Sequence, residues 1–338
     1  ELGKSYFENK EYEKAIVVYN QILAQNKGNL QALFNKALAL QGLKEFKRAE
    51  TIYLALSKEP VENLAKYKLE YPNIQKALAS NYIAWANYYN TKKDYKNAKE
   101  TYAKALAINP DNTNAYKGLA KTYEDMGIKD LAVENYEKAI QIEPENAELF
   151  MSYGETLEHL NDLEQAQGAF SKAIELDDKS SEAYVLSGDN YLKQKNFDKA
   201  IEQYKKALEL DSEDDSIAIK IGNCYKYSNE NTKAMEYYTK TLDINPVNEN
   251  AYFNIGLINY ENEDYSEAIA NFSKAIELKA DFAYAYWGLG SCYEIMHQPK
   301  DAIYNYEKYT EYAPDEDSKT KAQEKVDALY KELVKWKK

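Results

Sequence analysis

The chain has 338 residues, a formal net charge of −13 and an apolar share of 44%, which is enough for a folded protein with a buried core. Glycine and proline are scarce, at 12 and 7 residues, while Ala, Leu, Glu and Lys are abundant, so the composition favours helices. Arg48 is the only arginine, and this scarcity in an acidic chain argues against nucleic-acid binding. No apolar run approaches the ~20 residues that span a bilayer, so we expect no direct membrane insertion.

Small residues recur with a period of 34 through most of the chain. The period is carried by one alanine in each of seven successive units: Ala98, Ala132, Ala166, Ala200, Ala234, Ala268 and Ala302. An aromatic residue follows four positions later, as in Tyr204, and in the later units a glycine precedes the alanine, as in Gly188. Because Gly188 and Tyr191 share one helix face, and Ala200 and Tyr204 share another, each unit predicts two helices joined by a turn.

Close helix crossing gives a physical reason for this pattern. Only a small residue fits where two helices cross closely, and a large ring on the neighbouring turn fills the adjoining space. One hairpin cannot bury its own apolar faces, so each unit is expected to pack on the next. The sequence therefore predicts an all-α fold of stacked antiparallel helix pairs.

The N-terminal part departs from the regular pattern. Residues 1–63 predict two degenerate units, the first truncated by the start of the chain, and residues 64–78 predict an insertion. The insertion is interpreted as a tolerated extension in preference to a dedicated binding element, with Pro72 in the first turn of a helix that runs on to residue 89. Because the chain begins with Glu1, we expect it to continue upstream, which leaves the compartment open with the cytoplasm favoured.

Residues 79–316 predict seven regular units, and residues 317–338 predict one capping helix. The apolar side of this helix carries Ala322, Val326, Leu329 and Leu333, and its other side is charged. Such a helix is expected to cover the last apolar face of the stack.

The repeat resembles the tetratricopeptide repeat (TPR) family, whose unit also has 34 residues. In the last unit the family pattern is filled by Tyr286, Leu289, Gly290, Tyr293, Ala302, Tyr306 and Pro314. Asn259, Thr241 and Tyr309 depart from it. The resemblance covers about nine-tenths of the chain and implies a right-handed α-solenoid, the TPR superhelix, whose first helices line a concave peptide-binding groove.

The groove that the resemblance implies gives a set of candidate binding residues. They are the first-helix positions that packing does not use: Lys117, Lys121, Glu155, Asp189, Lys220, Asn223, Asn250, Phe253, Asn254, Tyr260, Tyr284, Trp287 and Ser291. Acidic residues in the middle units match a partner with basic residues, although such residues are more typical of a solvated face. The aromatic residues of the last three units predict apolar or aromatic anchors, and the asparagines predict hydrogen bonds to an extended backbone. Each ring has packing as its alternative, and Trp287 is favoured as a binding residue.

Some family members clamp a terminal carboxylate with lysine, asparagine and arginine. Asn223 and Asn254 match the two asparagine positions of that clamp. The cation positions hold Ile219, Tyr284 and Gly288, which offer no charge-assisted hydrogen bond, so a clamp is not expected.

The sequence offers no chemistry typical of an enzyme. His159 and His297 lie in different units, and Cys224 and Cys292 lie two units apart, so we expect no zinc site and two free thiols. The "GKS" at residues 3–5 fits the repeat register and not a phosphate loop. We expect no catalytic pair, no cofactor and no metal.

The sequence thus predicts a non-catalytic scaffold that binds a protein or peptide segment and supports complex assembly. Two alternatives stay open. In the first alternative, the repeats are a regulatory or targeting arm of a longer enzyme. In the second, they form a scaffold that associates with itself.

Overall fold

The computed structural model describes residues 1–335, so residues 336–338 of the predicted capping helix lie outside the described residues. Every regular element among residues 1–335 is a helix. The chain divides into two compact units, Glu1–Asp178 and Lys179–Lys338, which we call unit 1 and unit 2.

Unit 1 contains eleven helices. They are α1 (Leu2–Glu8), α2 (Tyr12–Gln25), α3 (Leu30–Gly42), α4 (Phe46–Leu56), α5 (Val61–Lys66), α6 (Tyr71–Thr91), α7 (Tyr95–Ile108), α8 (Thr113–Asp125), α9 (Lys129–Ile142), α10 (Ala147–His159) and α11 (Leu163–Leu176). The first helices of its pairs are α1, α3, α6, α8 and α10, and each packs on the second helix that follows it.

Unit 2 contains nine helices within residues 179–335. They are α12 (Ser181–Lys193), α13 (Phe197–Leu210), α14 (Asp215–Tyr227), α15 (Asn231–Ile244), α16 (Glu249–Glu261), α17 (Tyr265–Leu278), α18 (Ala283–Ile295), α19 (Pro299–Tyr312) and α20 (Glu316–Lys335). Its first helices are α12, α14, α16 and α18, and each second helix packs on the next first helix. Each unit is a stack of antiparallel helix pairs, as the period predicted, and so an α-solenoid, as the resemblance implied.

Local sequence defines where the helices begin and turn. Several first helices begin after a capping side chain, as at Asn112, whose oxygen accepts a hydrogen bond from the Ala115 N–H. The turn inside each hairpin contains one residue with positive φ, which reverses the chain. These residues are Lys10, Lys44, Lys93, Gly127, Asn161, Lys195, Asn229, Glu263 and His297.

Glycine and aromatic residues meet at the helix crossings. A Cβ on Gly188 would lie 2.6 Å from Cε1 of Tyr204, and a Cβ on Gly154 would lie 2.5 Å from Cε1 of Phe170. Both rings are fully buried. The close approach of the two helices therefore requires glycine at these positions, which confirms the predicted packing.

The segment predicted as an insertion lengthens one first helix. Pro72 lies in the first turn of α6, as expected, and α6 has 21 residues where α8 and α10 have 13. The short α5 precedes it, and its Leu64 is buried with Leu56 and Ile74.

The last described helix, α20, covers the end of unit 2. Val326 and Leu329 are buried against Ile303 and Tyr306 of α19, and Leu333 packs at the edge of the same cluster. The apolar side predicted for this helix is therefore the side that packs. Lys325 on the same helix pairs with Glu294 of α18 at 2.9 Å.

Candidate functional site

The predicted groove residues all lie on first helices, and they fall into both units. Unit 1 holds three of them, Lys117 and Lys121 on α8 and Glu155 on α10. Unit 2 holds the others: Asp189 on α12, Lys220 and Asn223 on α14, Asn250, Phe253, Asn254 and Tyr260 on α16, and Tyr284, Trp287 and Ser291 on α18.

In unit 2 the structure brings Asp189 and Lys220 together. The ammonium of Lys220 forms an ion pair with Asp189 and lies 5.6 Å from the centre of the Tyr204 ring. The Tyr204 hydroxyl donates a hydrogen bond to the same Asp189 oxygen at 2.6 Å. The negative charge predicted here is therefore balanced within the protein, which weakens its attraction for a basic partner.

Asn223 and Asn254 form a second linked pair. The Asn223 oxygen accepts hydrogen bonds from the Tyr238 hydroxyl at 2.9 Å and from the Asn254 amide nitrogen at 3.2 Å. Among the described residues the Asn223 amide nitrogen has no acceptor and the Asn254 oxygen has no donor, and both side chains are half-buried. One donor group and one acceptor thus remain on two side chains that are hydrogen-bonded to each other.

The tyrosine hydroxyls are functional groups that the sequence reasoning missed. In four units the second-helix tyrosine hydrogen-bonds a polar first-helix side chain 15 residues earlier. The pairs are Tyr102 with Asn87, Tyr204 with Asp189, Tyr238 with Asn223 and Tyr306 with Ser291. The sequence contains a signal for these hydrogen bonds, namely which units carry tyrosine at this position. Phe170 and Phe272 replace the tyrosine in two other units, where no such hydroxyl pair can form.

The aromatic residues predicted on α16 are engaged in packing. The ring of Phe253 lies 4.9 Å from Phe282 and 5.7 Å from Phe272, and Tyr260 meets Tyr265 edge-on at 5.7 Å. Both are half-buried in one apolar cluster with Leu289. Asn250 on the same helix is exposed, and its amide hydrogen-bonds the adjacent Glu249.

Trp287 has a packing role that the sequence interpretation did not favour. Its ring lies edge-on at 5.1 Å to both Tyr306 and Tyr309, and it borders the cluster that holds Val326 of α20. The side chain is half-buried, so truncating it removes packing of the last hairpin as well as any binding contact. Tyr284 is 52% exposed and is the most accessible ring of the predicted set.

In unit 1 the first helices line a depression of about 630 Å³. Residues of α6, α8 and α10 surround it, and Tyr136 of α9 reaches it between them. Its charged lining residues are Lys76, Lys117, Lys121 and Glu155, and His159 lies beside them. All three unit 1 residues predicted from the repeat positions are therefore brought together, and Lys76 of the predicted insertion joins them.

Two of these lysines have acidic partners of different character. Lys117 pairs with Glu148 at 2.7 Å, and the Glu148 side chain is 75% exposed. Lys121 pairs with Glu124 at 2.8 Å, and the Glu124 side chain is only 7% exposed. Burial would raise the pKa of Glu124, but hydrogen bonds from Lys121, Thr156 and His159 outweigh burial and hold its pKa below the ordinary value.

A second depression of unit 1, of about 510 Å³, is largely apolar. It lies between α3 and α6, where its walls include Leu38, Phe46, Ala84 and Tyr88. Asn87 lines both depressions, so they adjoin along α6. The first helices of unit 1 therefore present an apolar region beside a cationic region.

Both cysteines are free and fully buried, as expected. Burial raises the pKa of the Cys224 thiol to about 12 and that of Cys292 to about 11. Within residues 1–335 no cluster of three or more His, Cys, Asp or Glu side chains is placed to hold a metal ion. Among the helices that the structure describes, none combines the length and apolar character needed to span a bilayer.

Comparison with known families identifies the repeat. Models described as tetratricopeptide repeat match residues 6–69, 79–112, 114–146, 135–168 and 216–248. A further model described as TPR repeat matches residues 188–226 and 260–294. Together they cover well over half of the chain, which belongs to the tetratricopeptide repeat family. No curated protein matches the chain significantly.

Solved structures show the same fold. The C-terminal part of a TPR repeat-containing protein from Cytophaga hutchinsonii is 20% identical over 70% of this chain and 97% of that chain, with a TM-score of 0.57. A tetratricopeptide repeat protein from Parabacteroides merdae is 15% identical over 75% of this chain and 98% of that chain, with a TM-score of 0.52. YrrB, described as a TPR protein with an unusual peptide-binding site, is 24% identical over 57% of this chain and 100% of that chain, with a TM-score of 0.46.

Family membership gives the general function. Stacked helical repeats of this kind expose extended surfaces that bind other proteins, because each repeat adds a similar helix face beside the last. The chain is therefore a protein–protein interaction scaffold.

Proposed function

We propose that the chain is a non-catalytic scaffold that binds an extended segment of a protein partner along its first helices. The observation that carries this proposal is the linked pair of Asn223 and Asn254. Its remaining amide nitrogen and oxygen offer the donor and the acceptor that the C=O and N–H of one peptide unit require.

The tyrosines beneath this surface support the proposal because they reduce the entropic cost of binding. Tyr238 fixes the Asn223 side chain, and Tyr204 fixes Asp189. A side chain already held in its binding orientation loses little rotamer freedom when a ligand arrives. The exposed Tyr284 and the half-buried Phe253 and Trp287 are the proposed apolar contacts beside the pair.

Affinity capture from the native source with quantitative mass spectrometry tests the proposal. Wild type is compared with the double variant Asn223→Ala, Asn254→Ala, and with Asn271→Ala on the second helix α17 as a matched control. We expect at least one protein to lose about tenfold in recovery with the double variant and to be unaffected by the control. A short synthetic segment of that protein should compete for binding.

If wild type, the double variant and the control all recover the same amounts of every partner protein, binding at the asparagine pair is contradicted. Competition by the folded partner alone, with no active short segment, would contradict recognition of an extended chain. The Tyr238→Phe variant keeps the ring and removes the hydroxyl, so it should weaken capture less than the double variant does.

A further inference from the structure

We infer that the first helices of unit 1 recognise a partner segment in which an acidic side chain lies a few residues from a large apolar side chain. This inference rests on the proposed function, because it assumes that partners bind along the first helices. It concerns other residues than the asparagine pair and assigns the chemical class of the segment.

The cationic part of this surface is the 630 Å³ depression. Lys76, Lys117 and Lys121 line it, while Glu155, His159 and Tyr136 are the other titratable side chains of its wall. A protein of net charge −13 thus places three ammonium groups around one concave site. Neutral donors from Asn112, Asn114 and Ser152 surround the same space, which suits a carboxylate.

The pairing of the lysines leaves them available to a ligand. The Lys117–Glu148 pair is solvent-exposed, and such a pair contributes at most ~1 kcal/mol, so a ligand carboxylate can replace Glu148. Lys121 can turn towards a ligand because Glu124 keeps hydrogen bonds from Thr156 and His159. Lys76 is exposed at the lengthened end of α6.

The apolar part is the adjoining 510 Å³ depression. Its apolar walls include Leu38, Phe46, Ala84 and Tyr88, Lys44 lies at the same depression, and Asn87 joins it to the cationic part. This volume accommodates a leucine or aromatic side chain, and burying one in such a pocket gives the apolar anchor that hot spots of protein interfaces use.

The distance between the two parts sets the spacing in the partner. The apolar depression lies between α3 and α6 and the cationic one around α8, with neighbouring first helices in contact. Helix axes in contact are about 8–10 Å apart. The midpoint between α3 and α6 lies one and a half such spacings from α8, so the centres of the two parts are about 12–15 Å apart. An extended chain advances about 3.3 Å per residue, which places the acidic side chain about four residues from the anchor.

Selection of a random twelve-residue peptide display library on the 338-residue chain tests the inference. We expect enriched peptides to carry Asp or Glu three to six positions from Leu, Phe, Tyr or Trp. The double variant Lys76→Gln, Lys117→Gln should bind the enriched peptides about tenfold more weakly by fluorescence anisotropy. The control variant Lys138→Gln, Lys172→Gln makes the same change in net charge on second helices and should bind them as wild type does.

Ala84→Glu tests the apolar part separately, because it places a carboxylate in the apolar depression and should weaken the same peptides about tenfold. Circular dichroism establishes that each variant remains helical. The inference is overturned if no peptides are enriched, if they lack the acidic–apolar spacing, or if the lysine variant binds them unchanged. Peptides lost in the asparagine variant and retained in the lysine variant would support the proposed function and overturn this inference.

Two other occupants are tested with the same protein and the same lysine variant. Tighter binding of a labelled oligothymidine than of the enriched peptides would assign the lysines to nucleic acid and overturn the inference. Concentration-dependent dimerisation by light scattering that the lysine variant abolishes would assign the surface to a second copy of the chain, with the same consequence.

Discussion

The contact between Gly154 and Phe170 gives the sharpest stability prediction. A Cβ on Gly154 would lie 2.5 Å from Phe170 Cε1, whereas carbon atoms normally approach to about 3.5–4.0 Å. The Gly154→Ala variant therefore has to move the fully buried ring or the helix by about 1 Å, at a cost of ~1–3 kcal/mol. Alanine also gains ~1 kcal/mol of helix propensity over glycine, so the net loss is ~0–2 kcal/mol.

Gly168 provides the control within the same hairpin. It lies inside α11, and a Cβ there would meet no atom within 4 Å. Gly168→Ala should therefore gain ~1 kcal/mol from propensity alone. The two variants should differ by ~1–3 kcal/mol, because the propensity gain is common to both.

Urea denaturation followed by circular dichroism at 222 nm measures this difference. Both glycines lie in one hairpin, so neighbouring repeats are coupled to them in the same way. If Gly154→Ala stabilises the protein as much as Gly168→Ala does, the close crossing of α10 and α11 is refuted.

Three further predictions concern a turn, the thiols and a buried carboxylate. Lys195→Gly should raise the free energy of unfolding by about 1 kcal/mol, because Lys195 has a φ of 58°; an equal or lower urea midpoint would contradict this. Cys224 and Cys292 should react with a disulfide reagent at pH 8 only after denaturation, since burial raises the pKa of both thiols; rapid reaction of the native protein would oppose their burial. The pKa of Glu124 is held below its ordinary value, so its stabilisation is present above the unfolded pKa and is lost as the pH falls through the folded pKa. Wild type should exceed Glu124→Gln in urea stability by more at pH 6 than at pH 3, and a constant difference would contradict the assignment.

The sequence predicted the helix crossings because their chemistry is local to the repeat. A glycine on one helix and a ring 16 residues later recur together, as Gly188 and Tyr204 do, and the structure places them in contact. The position of Pro72 in α6 and the apolar side of α20 followed from the same kind of pattern. Periodicity reports which face of a helix is buried, and that was sufficient here.

The partners of groove side chains were harder to predict, because they come from neighbouring helices. Lys220 balances Asp189 from the next repeat, and the repeat positions alone give no sign of this pairing. Trp287 contacts Tyr309, which departs from the family pattern, so the pattern did not reveal the packing role of Trp287. Lys76 joins the unit 1 depression only because the insertion lengthens α6.

The central claim is that partners bind along the first helices. Hydrogen–deuterium exchange of the 338-residue chain tests this claim most directly. A saturating concentration of a peptide enriched in the display selection should slow amide exchange in α6 and α8. It should leave amide exchange in the second helices α7 and α9 unchanged, except in the turns that join them to the first helices. Protection confined to α7 and α9, or absent from the first helices at saturation, would contradict the account.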